Sequence, residues 1–455
     1  RIQMHIIKGR VSTVVKNTIF VKCDKANKKR LVSFHRNGAS FRIDKDEISS
    51  GTKYLRRNLV DVFSRDEDPI KDDRRAWLRS MVIDMDEPTF DESLIETKFS
   101  VPKPFDQIHE EVVSGCDFED LCMDYTENLN SDQQNAVDRV ISARDYTLLQ
   151  GLPGTGKSST ICFIVKLLVA RRQRVLITSY THTAVDNLLM KLGEEHVGVG
   201  AGYGDVVRIG NESTCHPNVQ DLLVENVASK MYLDANGGNN KVGTRELLST
   251  MKSARIVGVT TLTAGKTPLL LNQHFDVVIV DEAGQISQPA LLGALAHARQ
   301  FILVGDQQQL PPIVKSQSAA SNGYSISLLQ RLAEKWGTTK LTLQYRMNSD
   351  ICLLCNKLVY NDALQPVNVS VASRSLSLDE GVLNGFLETH RAAGGADEGD
   401  DWVCEAVLPD RRVVFLDTDS LGDHLESMVL SKRRTGVAET ETGTGTETGA
   451  AGTTT

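Results

Sequence analysis

Gly151-Leu152-Pro153-Gly154-Thr155-Gly156-Lys157-Ser158 decides the reading of this chain. It follows an apolar run, Tyr146 to Gln150, and opens a helical stretch, Ser158 to Ala170, which is the strand, glycine loop and helix order of a phosphate-binding loop. Glycines let successive backbone N–H groups converge on phosphate oxygens, and the helix N-terminus adds partial positive charge. Lys157 is placed to neutralise the outer phosphates and Ser158 to ligate Mg²⁺. Gly151, Pro153, Gly154, Thr155, Gly156, Lys157, Ser158 and the adjoining Ser159 are the candidate nucleotide-binding residues.

Outward from this loop, short apolar strands alternate with helical stretches: Arg174 to Thr178, Val206 to Ile209, Arg255 to Val259, Asp276 to Val280 and Phe301 to Val304. Continuous Val, Ile and Leu runs suit strands buried on both faces of a parallel sheet, so the class is α/β. Residues 211–250 interrupt the alternation and read as a surface insertion. Lys340 to Leu343 reads as the first strand of a second α/β unit, and Arg411 to Leu416 as a later strand of it.

Two further strands carry chemistry at their carboxyl ends, where ligands sit in open parallel sheets. Val277 to Val280 delivers Asp281-Glu282-Ala283-Gly284: Asp281 suits a Mg²⁺ shell, and Glu282 suits polarisation of the water that attacks a γ phosphate. That division of labour favours a hydrolase over a kinase. Phe301 to Val304 runs into Gly305-Asp306-Gln307-Gln308-Gln309-Leu310-Pro311-Pro312, where a carboxamide can hydrogen-bond the terminal phosphate and register its loss.

With 455 residues the chain has length for about three domains of ~150 residues. It is 40% hydrophobic and 24% charged, and no apolar run approaches the ~20 residues of a membrane span, so a soluble protein is expected. Its 8 cysteines follow no secreted spacing, which favours a reducing intracellular compartment without disulfides. Cys352-Leu353-Leu354-Cys355 lies in an apolar helical stretch without a second ligand pair and reads as core. The opening Arg1, followed by strand-like alternation, suggests a fragment.

The net charge of −8 conceals a strong asymmetry. Residues 1–60 hold 15 Lys or Arg against 4 Asp or Glu, and residues 61–130 hold 7 against 20. The basic block is either a solvated barrel surface or a face that tracks phosphates. Val, Ile and Thr runs separated by polar turns make residues 1–62 a small β-barrel. Residues 63–128 are expected to form a helical and extended connector, 129–339 the first α/β unit with the phosphate loop, 340–434 the start of a second α/β unit, and 435–455 a disordered tail rich in Thr and Gly.

The phosphate loop, Asp281-Glu282-Ala283-Gly284, Gly305 to Leu310 and then Gln344-Tyr345-Arg346-Met347-Asn348, in this order, resemble superfamily 1 helicases of the Upf1-like branch. Thr178 to Asn187, Ile286-Ser287-Gln288-Pro289, and Val82-Ile83-Asp84 with Glu87-Pro88 are most similar to the eukaryotic replicative helicase/nuclease family. The expected architecture is then a RecA-like P-loop NTPase sheet, preceded by the barrel and followed by the truncated RecA-like lobe.

The resemblance implies residue roles. Gln133 matches a glutamine that reads adenine, although its place also suits a helix N-terminal cap; Gln309 matches the phosphate sensor, Arg346 an arginine that reaches the γ phosphate, and Tyr345 an aromatic near the base. Thr178, Ser179, Thr181, His182, Asn187, Thr260 and Thr261 match segments lining a single-strand path, where small hydroxyls suit contact with phosphates in any sequence.

The implied activity is ATP-dependent 5′–3′ movement on single-stranded, flapped or forked DNA in replication, including Okazaki fragment processing, and in repair. ATP and Mg²⁺ are the implied cofactors, replication and repair proteins the partners, and the nucleus the location. The family's nuclease domain and iron–sulfur cysteines have no match within this chain, so no cluster is expected in it, and the late motifs of the second lobe are missing. A non-catalytic fragment that binds ATP and nucleic acid, or an RNA helicase of the same branch, shares the motor residues.

Overall fold

In the computed structural model the described residues are 10–15, 18–22, 50–101, 118–194, 205–236, 242–375, 380–393, 408 and 412–414. The expected tail at 435–455 lies outside them, as do most of the expected barrel and most of the second lobe beyond residue 375. The chain divides into two units, Arg1–Arg57 and Asn58–Thr455, so the first boundary falls a few residues before the expected position at 62. In the first unit β1 (Arg10–Val15) pairs antiparallel with β2 (Thr18–Lys22), with a register shift between Val11 and Thr13.

The second unit is built on a seven-stranded sheet. Its strands are β3 (Tyr146–Gly151), β4 (Val175–Ser179), β5 (Val206–Ile209), β6 (Ile256–Thr260), β7 (Val277–Val280), β8 (Gln300–Gly305) and β9 (Thr339–Leu341). They lie in the order β5-β6-β4-β7-β8-β3-β9, and every pairing is parallel. Residues of β3, β4, β6 and β7 are buried throughout, as their unbroken apolar runs require when both faces are covered. The helix that follows the phosphate loop, α1 (Lys157–Ala170), is apolar around most of its circumference and buries ten residues from Thr160 to Ala170. It sits in the core cluster with Val137, Leu149, Ile177, Leu188 and Ile302.

Three expectations change. Lys340 does not start a new sheet: β9 pairs with β3 and closes the first sheet's edge, and a separate two-stranded sheet begins with β10 (Leu343–Gln344) beside β11 (Gln365–Pro366). A single edge strand reads the same in sequence whichever sheet it joins. Residues 211–236, the described first part of the expected surface insertion, pack into the unit, because Val219, Val224 and Ala228 are fully buried beneath β5 and its neighbours. Residues 412–414, the described part of the strand expected at 411–416, carry no strand.

The acidic connector is fastened to the sheet. Asp145, just before β3, accepts hydrogen bonds from Trp77 Nε1 and from the amide and hydroxyl of Thr89. At the other end Arg171 donates to the carbonyls of Thr97 and Lys98 at 2.8 and 2.9 Å. Among the described residues no helix is long and apolar enough to cross a membrane, and no three His, Cys, Asp or Glu side chains form a metal-binding group.

Candidate active site

Parallel strands end on the same side, so the sheet order converts segments distant in sequence into neighbours at one edge. β3 delivers the phosphate loop beside the Gly305 turn of β8, since Gln150 stands opposite Gly305. β7 delivers Asp281 on the other side of β8, with Val280 opposite Leu303. β4 comes next, Thr178 opposite Val280, and β6 follows, Thr260 opposite Ser179.

The phosphate loop needs its glycines for backbone reasons. Gly154 and Gly156 have φ of 76° and 82°, a region open to glycine at little cost, and a Cβ on Gly156 would lie 2.7 Å from Gln133 Nε2. Lys157 Nζ donates to the Gly151 carbonyl at 2.9 Å, which folds the ammonium over the mouth of its own loop. Thr155 is buried and its hydroxyl donates to Leu152 O. Ser158 is exposed, and Ser159 accepts from Lys191 Nζ at 2.5 Å.

Asp281 is buried at the end of β7. Burial, and then the Glu282 carboxylate beside it, push its carboxyl up to about 6, while the Glu282 amide and Lys157 draw it back in part. A carboxylate so short of compensating charge, with the hydroxyl of Ser158 available on the facing loop, is a hard oxygen donor set that fits Mg²⁺. Glu282 is in the left-handed region at φ 52° and its Oε2 accepts from Gln285 Nε2. Gly284 permits the close pass of this turn beneath β8, because a Cβ there would meet Asp306 O at 2.9 Å.

The segment after β9 closes over the phosphate loop. Tyr345 N donates to Gly154 O at 2.9 Å, and its hydroxyl accepts from Asn130 Nδ2 at 2.8 Å. Arg346 follows immediately, its side chain exposed and its Cβ over Gly154. Buried Gln344 shapes this turn: its Oε1 accepts from the amides of Arg346 and Met347 at 2.8 and 2.6 Å. Gln133 is buried and belongs to a capping box with Asn130, and its Nε2 leans on Thr155 O at 3.4 Å. One N–H of that carboxamide is left for a base edge. The cap and the base contact are therefore compatible.

An AAA-domain family model matches residues 128–252 and 244–317, and a second AAA-domain model matches 324–442. The DNA replication ATP-dependent helicase/nuclease of Saccharomyces cerevisiae is 35% identical over 413 residues, covering 86% of this chain and 24% of that protein. Its Homo sapiens counterpart is 35% identical over 345 residues, covering 76% and 29%, and that of Arabidopsis thaliana 34% identical over 383 residues, covering 84% and 24%. The chain belongs to the DNA replication ATP-dependent helicase/nuclease family. It spans about a quarter to a third of the length of these curated relatives.

For this family member the residues expected along a nucleic-acid path separate into two sets. Thr178, Ser179 and Thr261 are fully buried; Thr261 Oγ1 donates to Ser179 O at 2.9 Å and lies 3.2 Å from Thr178 Oγ1. Thr260 is also buried and donates to Thr263 Oγ1. Thr178 and Thr261, with the Ser179 carbonyl, thus tie the end of β4 to the segment after β6, while the Thr260 hydroxyl is used within its own segment and the buried Ser179 hydroxyl has no partner among the described residues. Thr181 and Asn187 are exposed, although Thr181 Oγ1 is also taken up as an acceptor from Ala184 N at the start of α2 (His182–Glu194). His182 is half-buried, and burial and then Arg208 hold its imidazole below the usual range, hence neutral.

Several residues of the site carried no role in sequence. Asp306 is buried behind Gln309 and binds it; Tyr360 reaches Asp306 from the segment after β10; and Asp132 Oδ2 accepts from Thr342 N and Oγ1 at 2.8 and 2.7 Å, anchoring the start of that segment. Asp306 stood inside the quoted Gly305 to Leu310 stretch, so its signal was adjacency to a named motif. Arg208 and Asp186, a buried ion pair at 2.8 Å, had no signal beyond a charge inside an apolar strand.

Proposed function

We propose that this chain is the ATP-driven motor portion of a 5′–3′ DNA helicase acting in DNA replication, including Okazaki fragment processing, and in DNA repair. The observation that carries the reading is the assembly at one sheet edge of Lys157, the Asp281–Glu282 pair and Gln309, with Arg346 laid over Gly154 from the following segment. Such a set supports phosphoryl transfer to water by positioning and charge neutralisation, with no covalent intermediate.

In this scheme the phosphate-loop amides and Lys157 bind the triphosphate, and Ser158 with Asp281 would hold Mg²⁺. When bound, Mg²⁺ neutralises charge on the phosphate oxygens. Glu282 orients and deprotonates the attacking water, and Gln309 and Arg346 meet the γ phosphate from two sides. Gln133 and Tyr345 flank the base. The proposed domain plan is an accessory barrel, a connector, a first RecA-like lobe that carries the nucleotide site, and the beginning of a second lobe from Leu343. Exposed Thr181 and Asn187 beside the site are the candidates for strand contact, with half-buried His182 next to them.

Single-stranded or flapped DNA is the proposed substrate, replication and repair proteins are the proposed partners, and the nucleus is the proposed location, all by likeness to the named relatives. The test is ATP turnover with and without single-stranded DNA or RNA. Stimulation by DNA, lost in Lys157→Ala and in Glu282→Gln while Glu282→Gln still binds ATP, is the expected result. Turnover that is indifferent to any strand would overturn the motor reading.

A further inference from the structure

Asp306 directly follows β8 and is 3% exposed, and its two oxygens accept four uncharged donors. Oδ1 accepts from Gln308 N at 3.0 Å and Gln150 Nε2 at 3.4 Å. Oδ2 accepts from Gln309 Nε2 at 2.9 Å and from the Tyr360 hydroxyl at 3.0 Å. The proposed phosphate sensor is thus docked on a buried carboxylate oxygen that it shares with a tyrosine. That tyrosine belongs to a different layer: it ends the helical turn Asn356–Tyr360 after α3 (Ser349–Cys355), beyond β10.

The join between the two layers is tight. Gln308 Nε2 donates to Val359 O at 3.1 Å, so consecutive residues of the sensor turn meet consecutive residues of this helical turn. Tyr360 is 7% exposed and packs in one apolar cluster with Cys352, Leu364 and Leu152 of the phosphate loop. Asn356 fixes the turn through Leu364 O at 2.8 Å and Leu364 N at 3.0 Å. Burial and the Asp306 charge raise the Tyr360 phenol above its ordinary range, so it keeps its proton and donates.

We infer that Tyr360 is a positioning residue that sets how readily Gln309 leaves Asp306 for the terminal phosphate, linking the nucleotide's state to the segment after Leu343. This rests on the proposed ATPase reading. The physical reason is the cost of stripping a donor from a buried carboxylate. When Gln309 turns away, the Tyr360 hydroxyl still satisfies Oδ2, and the loss is partial. Without that hydroxyl Gln309 is the remaining side-chain donor to Oδ2, and its release leaves the oxygen unpaired. Closer hold on Gln309 weakens binding of a nucleotide with a γ phosphate and leaves binding of one without it unaffected.

The experiment measures affinity of the full chain for a nonhydrolysable ATP analogue and for ADP, both with Mg²⁺, in wild type, Tyr360→Phe, Gln309→Ala and the double variant. Tyr360→Phe is expected to weaken the analogue about tenfold or more, the scale of one lost hydrogen bond to a charged group, and to leave ADP within about twofold. In the Gln309→Ala background the same change should have no further effect on either nucleotide, because the coupling is gone. Asp306→Asn, a weaker acceptor, should shift preference the other way, toward the analogue. Equal weakening of both nucleotides by Tyr360→Phe, or an undiminished effect in Gln309→Ala, overturns the inference. A wild-type chain that binds neither nucleotide sinks the ATPase reading itself, whereas a wild type that prefers the analogue and a Tyr360→Phe that keeps the preference sink only the role of Tyr360.

Discussion

Removing Asp186 should unfasten the second unit more than any surface change could. Arg208, on β5, is fully buried, and Asp186, on α2, is 1% exposed. Arg208 Nε donates to Asp186 Oδ1 at 2.8 Å, and the other carboxylate oxygen accepts from His216 N at 2.9 Å. The guanidinium also donates to Ile209 O at 2.6 Å and lies 3.2 Å from His182 Nδ1. In Asp186→Ala those two neutral acceptors remain, but the charge of Arg208 is left buried without a counter-ion, and the His216 amide loses its acceptor. Breaking one side of a buried pair costs about 3–5 kcal/mol, against about 0–1 for an exposed pair such as Lys357–Asp362. Urea denaturation followed by fluorescence would read this as a lower midpoint at unchanged slope. The double variant Arg208→Met/Asp186→Leu should be more stable than either single charge deletion, because no uncompensated charge remains. A loss under about 1 kcal/mol in Asp186→Ala would refute the claim that this pair is desolvated and mutually dependent.

Gly284→Ala places a Cβ 2.9 Å from the Asp306 carbonyl and should cost about 1–3 kcal/mol in urea while lowering kcat more than the KM for ATP, since it separates the Asp281–Glu282 turn from the sensor strand. His297 is half-buried by surface area and held neutral, its imidazole pushed down to about 4 chiefly by desolvation; its share of stability is full above pH 6.5 and lost as pH falls from there to about 4. That loss is about 3 kcal/mol, and His297→Gln should flatten it in denaturation midpoints measured across this window. Because Asp281 ionises only near pH 6, the Mg²⁺ concentration for half-maximal ATPase should rise about tenfold from pH 7 to pH 5, and a flat profile would refute its role as a metal ligand.

The nucleotide site was legible in the chain because its parts are local. A glycine loop between a strand and a helix, or two carboxylates at a strand's end, are short-range patterns whose geometry follows from backbone preferences over about ten residues. The parallel α/β class followed equally from unbroken apolar runs such as Val277–Val280. What the linear order could not supply was adjacency. Only the strand order β5-β6-β4-β7-β8-β3-β9 decides that β8 lies between β3 and β7, and so that Asp306 stands behind Gln309 with Tyr360 from 54 residues away on the same oxygen. For the same reason the threonines at 178 and 261 read as surface hydroxyls in sequence, whereas in the fold they are buried and bonded to each other across two strand ends. Lys340 was misplaced because an edge strand's partner is chosen by which sheet has an open edge, a property of the assembled unit that no local pattern encodes.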